Sequence, residues 1–301
     1  MRVVIALGGN ALLRRGEPLT AENQRRNVAA AARAIAAVAA QHDVVITHGN
    51  GPQVGLLALQ AAAGGDGWPL DVLNAESEGM IGYLIEQELS PRLPGRRMAT
   101  LLTLVEIDPA DPAFARPSKP IGPVYDETEA RHLAAVRGWT VAPDGKGWRR
   151  VVPSPAPVRL IEIATIRHLV AEGFVVICAG GGGIPVARSV SGALYGVEAV
   201  IDKDRTSALL ARDIGADALL LLTDVAGVYS GFGDAGAELL PQIPVGQIPG
   251  LALDPGSMGP KAAAAAAFAQ GGGIAAIGRM EDAADILLGR AGSRIIAGNN
   301  A

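Results

Sequence analysis

Val3-Val4-Ile5-Ala6-Leu7-Gly8-Gly9-Asn10 sets the pattern of this chain: a short apolar β-rich run that ends in glycines. The pattern returns as Val44-Val45-Ile46-Thr47-His48-Gly49-Asn50-Gly51 and as Val175-Val176-Ile177-Cys178-Ala179 followed by Gly180-Gly181-Gly182-Gly183. Nearly continuous apolar strands of this length belong to parallel sheets covered on both faces.

Helical patterns separate the strands. Thr20-Ala21-Glu22-Asn23 is a capping-box-like start, and Val28, Ala31, Ala32, Ile35 and Val38 then fall on one side of a helix over 20–40. Further helices are expected over 161–171, over 207–214 and, after Lys261, over 262–270. Leu219-Leu220-Leu221-Leu222 and Ile274-Ala275-Ala276-Ile277 read as later strands. This alternation predicts an α/β fold, a three-layer αβα open sandwich on a mainly parallel central sheet.

Residues 108–157 interrupt the rhythm with nine prolines, from Pro109 to Pro157. A short helix over 127–137 and a hairpin through Trp148-Arg149-Arg150-Val151-Val152 are expected inside, which makes this stretch a small protruding subdomain rather than a floppy insertion.

Composition bounds the function. The chain has 301 residues, 49% of them hydrophobic and only 4% aromatic, so aliphatic side chains must fill a large core. The formal net charge is −4 with no basic face, which argues against a nucleic-acid partner. The run at 1–13 faintly mimics a signal peptide, but Gly8-Gly9-Asn10 breaks it and Arg14-Arg15 follow it. The Ala-rich run 28–40 carries Arg33, and no stretch reads as a membrane span. A cytoplasmic protein is expected. The lone Cys178 reads as a buried strand thiol, with neither disulfide nor zinc spacing.

Arginine is the default cation: 26 positions are Lys or Arg, and lysine appears only at 119, 146, 203 and 261. A lysine ammonium is a mobile point charge, suited to a moving phosphoryl group in a way the rigid guanidinium fork is not. Lys146, in Asp144-Gly145-Lys146-Gly147, reads as an exposed turn residue. Lys119, Lys203 and Lys261 lie in Pro-, Asp- or Gly-rich loops.

Parallel strands bring their C-terminal ends to one edge, where ligands bind. Glycines there let backbone N–H groups approach an anion, and a helix N-terminus adds partial positive charge. Three such loops with three lysines point to a site for several anionic oxygens. Rival motifs fail. The chain contains no G-x-x-x-x-G-K-[ST] loop, and the G-x-G-x-x-G match at 231–236 follows no strand. His48 has no nucleophile placed with it and reads as a packed or hydrogen-bonding histidine. An acceptor that is already an anion needs no general base; its difficulty is repulsion, about 4 kcal/mol per unit pair near 4 Å at an effective dielectric of 20.

Residues 4–12, 47–55, 117–123, 147–155, 180–186, 196–204 and 256–261 together resemble, in order and nearly end to end, the carbamate kinases of the amino acid kinase family. The Pro-rich and Trp-Arg-Arg segments are particular to that branch. The resemblance implies a homodimer and the reversible reaction of ATP and carbamate to ADP and carbamoyl phosphate, with ATP synthesis in arginine catabolism as the physiological use it suggests, and with Mg²⁺ carried by the nucleotide phosphates and no metal ligand from the protein. It implies one amino acid kinase domain, with a carbamate-side lobe over 1–205, including the subdomain at 108–157, and a nucleotide-side lobe over 206–301.

By the same resemblance, Gly8, Gly9 and Asn10 contact the transferring group. Gly49, Asn50, Gly51 and the Gly180, Gly181, Gly182, Gly183 loop shape the carbamate pocket. Lys119 reaches in from the subdomain, while Lys203 and Lys261 flank the phosphoryl group, oriented by Asp204. Asp204 also suits a helix N-cap before Ser207. Thr223, Asp224, Val225, Tyr229, Gly256, Ser257 and Met258 form the nucleotide end, although Met258 equally suits core filling. Ser118 stands where Thr is common, and Glu76-Ser77-Glu78-Gly79-Met80 is more acidic than the usual Ser-Gln-Gly pattern. A sibling kinase for another small carboxylate, or a non-catalytic nucleotide- or anion-binding protein, fits the same loops.

Overall fold

A computed structural model describes residues 1–12, 17–18, 20–50, 53–63, 68–234, 236–254 and 256–298. Among them, eight strands form one sheet in the order Gln242–Pro244, Ser293–Ile296, Ile274–Arg279, Ala218–Thr223, Arg2–Leu7, Asp43–His48, Val175–Ile177 and Met98–Thr100. From Ile274–Arg279 to Met98–Thr100 every pairing is parallel; Ser293–Ile296 joins antiparallel at the other side. The expected sandwich is therefore present, with a mainly parallel core.

The two-residue period of a strand sorts its side chains between two cores. Val4, Ala6, Val45, Val176, Leu219 and Leu221 enter one, where Ile166, Leu210 and Ala265 of the helices Ile163–Ala171, Lys203–Asp213 and Met258–Ala269 cover them. Val3, Ile5, Val44, Ile46 and Leu220 enter the other, under Val28 and Ile35 of Ala21–Ala39 and Ile81 and Ile85 of Leu70–Leu89. Thr20 caps Ala21–Ala39 as expected, its Oγ1 accepting from the Asn23 N–H at 3.2 Å.

A four-stranded sheet, Leu194–Gly196, Ile184–Arg188, Leu104–Ile107 and Pro157–Leu160, lies beside the main one. The chain leaves it after Ile107 and returns at Pro157. Between them stand three antiparallel strands, Lys119–Tyr125, Gly147–Val152 and Thr140–Asp144, and the helix Glu127–Arg137. Asp126 caps that helix through the Glu129 N–H at 2.8 Å, and Gly138 ends it at φ 66°. Lys146 is exposed in the hairpin turn. The unit rests on the body through a small core of Val54, Leu70, Leu73, Ile121, Val152 and Val200.

Three boundaries differ from expectation. The strand ends at Ile177, before Cys178. The helix expected at 207–214 is Lys203–Asp213, capped by Asp202 rather than Asp204: Asp202 Oδ1 accepts from the N–H groups of Asp204 and Arg205. The helix expected after Lys261 is Met258–Ala269, so Lys261 sits in its first turn. Proline is compatible with the opening turn of a helix, which lets Pro260 lie inside this one.

Candidate active site

Three glycine loops, after Leu7, His48 and Ile177, meet at the C-terminal edge of the parallel strands. The Gly8 N–H bonds to Leu222 O at 3.0 Å and the Gly49 N–H to Leu7 O at 2.9 Å, so each glycine continues its strand's register before the chain turns. A Cβ on Gly49 would lie 3.1 Å from Gly9 N, and one on Gly181 would strike the Asn50 amide. Backbone packs against backbone at Gly49 and against the Asn50 side chain at Gly181, and added side chains would hold the loops apart.

A cavity of about 200 Å³ opens among them. Gly8, Gly9, Gly49, Asn50, Lys119, Gly181, Lys203, Asp204, Gly256, Ser257 and Lys261 line it, together with Val54, Pro120, Ile121, Val200, Ile201, Asp202 and Pro260. Lysines 119, 203 and 261, from the start of a strand and the first turns of two helices, thus face one space. Asp204 is 3% exposed, and its carboxylate lies between two of them. Lys203 Nζ donates to Oδ1 at 2.6 Å and Lys261 Nζ to Oδ2 at 2.9 Å. Burial works to raise the Asp204 pKa, but the two ammonium groups hold it far below the usual carboxylate range. Burial draws Lys203 below the ordinary lysine value against the pull of Asp204.

Asp202, which the sequence reading did not single out, is the partner of Lys119 at 2.8 Å. An aspartate just ahead of a helix is a capping signal, and that rule could have found it. Burial and the nearby Asp204 push its pKa up, and Lys119 together with Lys203 brings it below the usual carboxylate value.

The remaining expected residues divide. Of the glycine loop, Gly181 reaches the cavity. Gly180 abuts His48 and Glu78, Gly182 the Ile201 carbonyl, and Gly183 Val105. Asn10 lies in the short helix Gly9–Leu12, with its side chain outside the described residues, as is Gly51. Thr223, Asp224, Val225, Tyr229, Ser257 and Met258 line a second cavity of about 220 Å³, with Gly227, Phe232, Ala252, Leu253 and Asp254. Ser257 borders both cavities, so the second adjoins the lysine-lined one. Met258 faces this cavity and also packs on the core.

His48 is fully buried, and burial, aided by Lys203, lowers its pKa to about 4 although the Gly49 carbonyl pulls the other way. The ring is neutral at pH 7. Its Nδ1 lies 3.2 Å from Gly49 O, which assigns the proton to Nδ1. Cys178 is buried, as expected, and burial pushes its thiol pKa far up.

Fold and sequence together place the protein in a class. The amino acid kinase family model matches residues 1–277, and the chain belongs to that family. Within it, the chain is 54% identical to the carbamate kinase of Rhizobium meliloti (strain 1021) across 94% of this chain and 89% of that one. It is 53% identical to the carbamate kinase of Haemophilus influenzae across 98% and 96%. Its fold is similar to that of carbamate kinase from Giardia lamblia bound to AMP-PNP, with a TM-score of 0.90, 40% identity, and 99% and 98% of the two chains covered.

Proposed function

We infer that this chain transfers a phosphoryl group reversibly between ATP and carbamate, giving ADP and carbamoyl phosphate. The observation that carries the reading is Asp204, whose two oxygens hold Lys203 and Lys261 beside the cavity that the glycine loops enter. Support comes from the carbamate kinases to which the chain is similar over nearly its full length.

The chemistry follows from charge. A carbamate oxygen attacks the γ-phosphorus while the bond to the ADP oxygen breaks, and no proton moves. The reactants are both anions, so the catalytic problem is to bring them together and stabilise charge on the equatorial phosphoryl oxygens. Lys203 and Lys261 supply two ammonium groups at a spacing fixed by one carboxylate. Lys119 adds a third from the subdomain. The backbone of Gly8, Gly9 and Asn10 meets the transferring group, and Gly49, Asn50, Gly51 and the 180–183 loop shape the carbamate end. Thr223, Asp224, Val225, Tyr229, Gly256, Ser257 and Met258 take the nucleotide, with residues 1–205 as the carbamate side and 206–301 as the nucleotide side.

The acidic oxygens of Asp202 and Asp204 are engaged by lysines, which suits a Mg²⁺ ion that arrives on the nucleotide phosphates. Bound there, the ion would offset phosphate charge. Met80, Tyr83 and Leu102 are exposed apolar residues that a homodimer could cover, and a cytoplasmic location suits these substrates.

The test is luminescent detection of ATP from ADP and carbamoyl phosphate with Mg²⁺, beside forward assays with carbamate, N-acetylglutamate and aspartate. ATP should form, carbamate should be the preferred acceptor, and Lys203→Ala and Lys261→Ala should each lower turnover by about 10²–10³-fold. Near-wild-type rates in both variants would overturn the roles given to them.

A further inference from the structure

We propose that Glu78 is a positioning residue, whose buried carboxyl braces the 180–183 glycine loop so that Gly181 faces the small-substrate end of the cavity. The choice of substrate rests on the function proposed above; the bracing does not.

Glu78 is 1% exposed and projects from the middle of Leu70–Leu89. Its Oε1 accepts from the Gly180 N–H at 2.7 Å and its Oε2 from the Thr103 N–H at 3.2 Å. Thr103 completes the clamp, with Oγ1 accepting from the Ala179 N–H at 2.9 Å and its carbonyl from the Ile184 N–H at 2.8 Å. What is clamped is an unfavourable backbone. Ala179 has φ 50°, Gly181 67°, Gly182 97° and Gly183 87°. An alanine in the left-handed region persists only where its surroundings impose it.

One turn earlier on the same helix, Asn74 Oδ1 accepts from Asn50 Nδ2 at 2.8 Å. One helix therefore holds both loops that meet where Gly181 faces Asn50. Neither bond reaches the nucleotide cavity, so loosening Glu78 should affect the small substrate selectively.

The ionisable groups facing Glu78 are Glu162 and Cys178, with His48 across Gly180. Burial raises the Glu78 pKa to about 8 against the pull of the Gly180 and Thr103 amides. At pH 7 the side chain is largely a neutral acid. It can hold the Gly180 amide without placing a negative charge beneath an anion site. Above pH 8 that charge appears.

The experiment compares the wild type with Glu78→Ala and Glu78→Gln in ATP formation from ADP and carbamoyl phosphate, and by hydrogen–deuterium exchange of the ligand-free proteins. Losing the brace should raise the KM for carbamoyl phosphate about tenfold in Glu78→Ala while the KM for ADP stays within about twofold. Glu78→Gln keeps an acceptor for Gly180; it should restore the KM at pH 7 and lack the rise in KM expected of the wild type above pH 8. Amides 179–184 should exchange faster in Glu78→Ala and return toward wild-type protection in Glu78→Gln. An unchanged carbamoyl phosphate KM, equal rises in both KM values, or identical pH profiles for Glu78→Gln and the wild type would each overturn the proposal. Unchanged exchange at 179–184 would do so even if the wild type made no ATP, a result that would separately remove the proposed function.

Discussion

Lys119, on the first strand of the small subdomain, donates to Asp202 at 2.8 Å, and Asp202 with its other oxygen caps the helix that begins with Lys203. One carboxylate thus couples the position of the subdomain to the helix bearing two residues of the lysine–aspartate cluster.

Asp202→Ala should break both connections. Losing the cap should lower stability by about 1 kcal/mol, read from the denaturant midpoint. Lys119→Ala leaves the cap intact, so it should slow turnover with the midpoint nearly unchanged. A normal rate in Lys119→Ala would leave the subdomain lysine without a part in the reaction.

Asp204→Asn removes the charge that offsets burial at Lys203. With Asp204 gone, the Lys203 pKa should fall further below the ordinary lysine value. The alkaline limb of the pH–rate profile should therefore move to lower pH, because the ammonium is lost sooner. An unmoved limb would mean that Lys203 charge does not govern the rate.

Glu78 makes a prediction about stability with a definite sign. Unfolded, its carboxyl gives up its proton near the ordinary glutamate value of 4.5; folded, it keeps it until about 8. Between these values the folded chain holds the extra proton, so this group's contribution to stability falls as pH rises. The wild type should lose stability relative to Glu78→Gln across that window, in denaturation curves measured at several pH values. Parallel curves would refute the assignment.

Cys178 is 0% exposed and its thiol pKa is raised by burial. Native protein should resist a thiol-specific dye and become labelled only on unfolding. Rapid labelling of the native chain would contradict the described packing.

Much of this architecture is legible in the chain. Val3 to Leu7, Val44 to Ile46 and Leu219 to Leu222 are apolar on both faces because the sheet is covered on both faces, and such runs announce themselves. The helix Leu70–Leu89 was not anticipated. Its inward face carries Asn74, Ser77 and Glu78 among Leu73, Ile81 and Ile85, so its apolar stripe is broken at the residues that hold the loops. The rarity of lysine marked three residues that share a cavity. Asp202 and Glu78 were harder to see, because their roles come from partners 83 and 102 positions away.

Gly55, in the helix Gln53–Ala63, lies so close to Gly122 of the subdomain strand that a Cβ on Gly55 would overlap the Gly122 backbone. Two bare main chains meet at this seam. The smallest possible insertion, one methyl at position 55, would act as a wedge, prising the strand that starts with Lys119 away from the body. The reach of that ammonium is therefore set, in part, by a side chain that is not there.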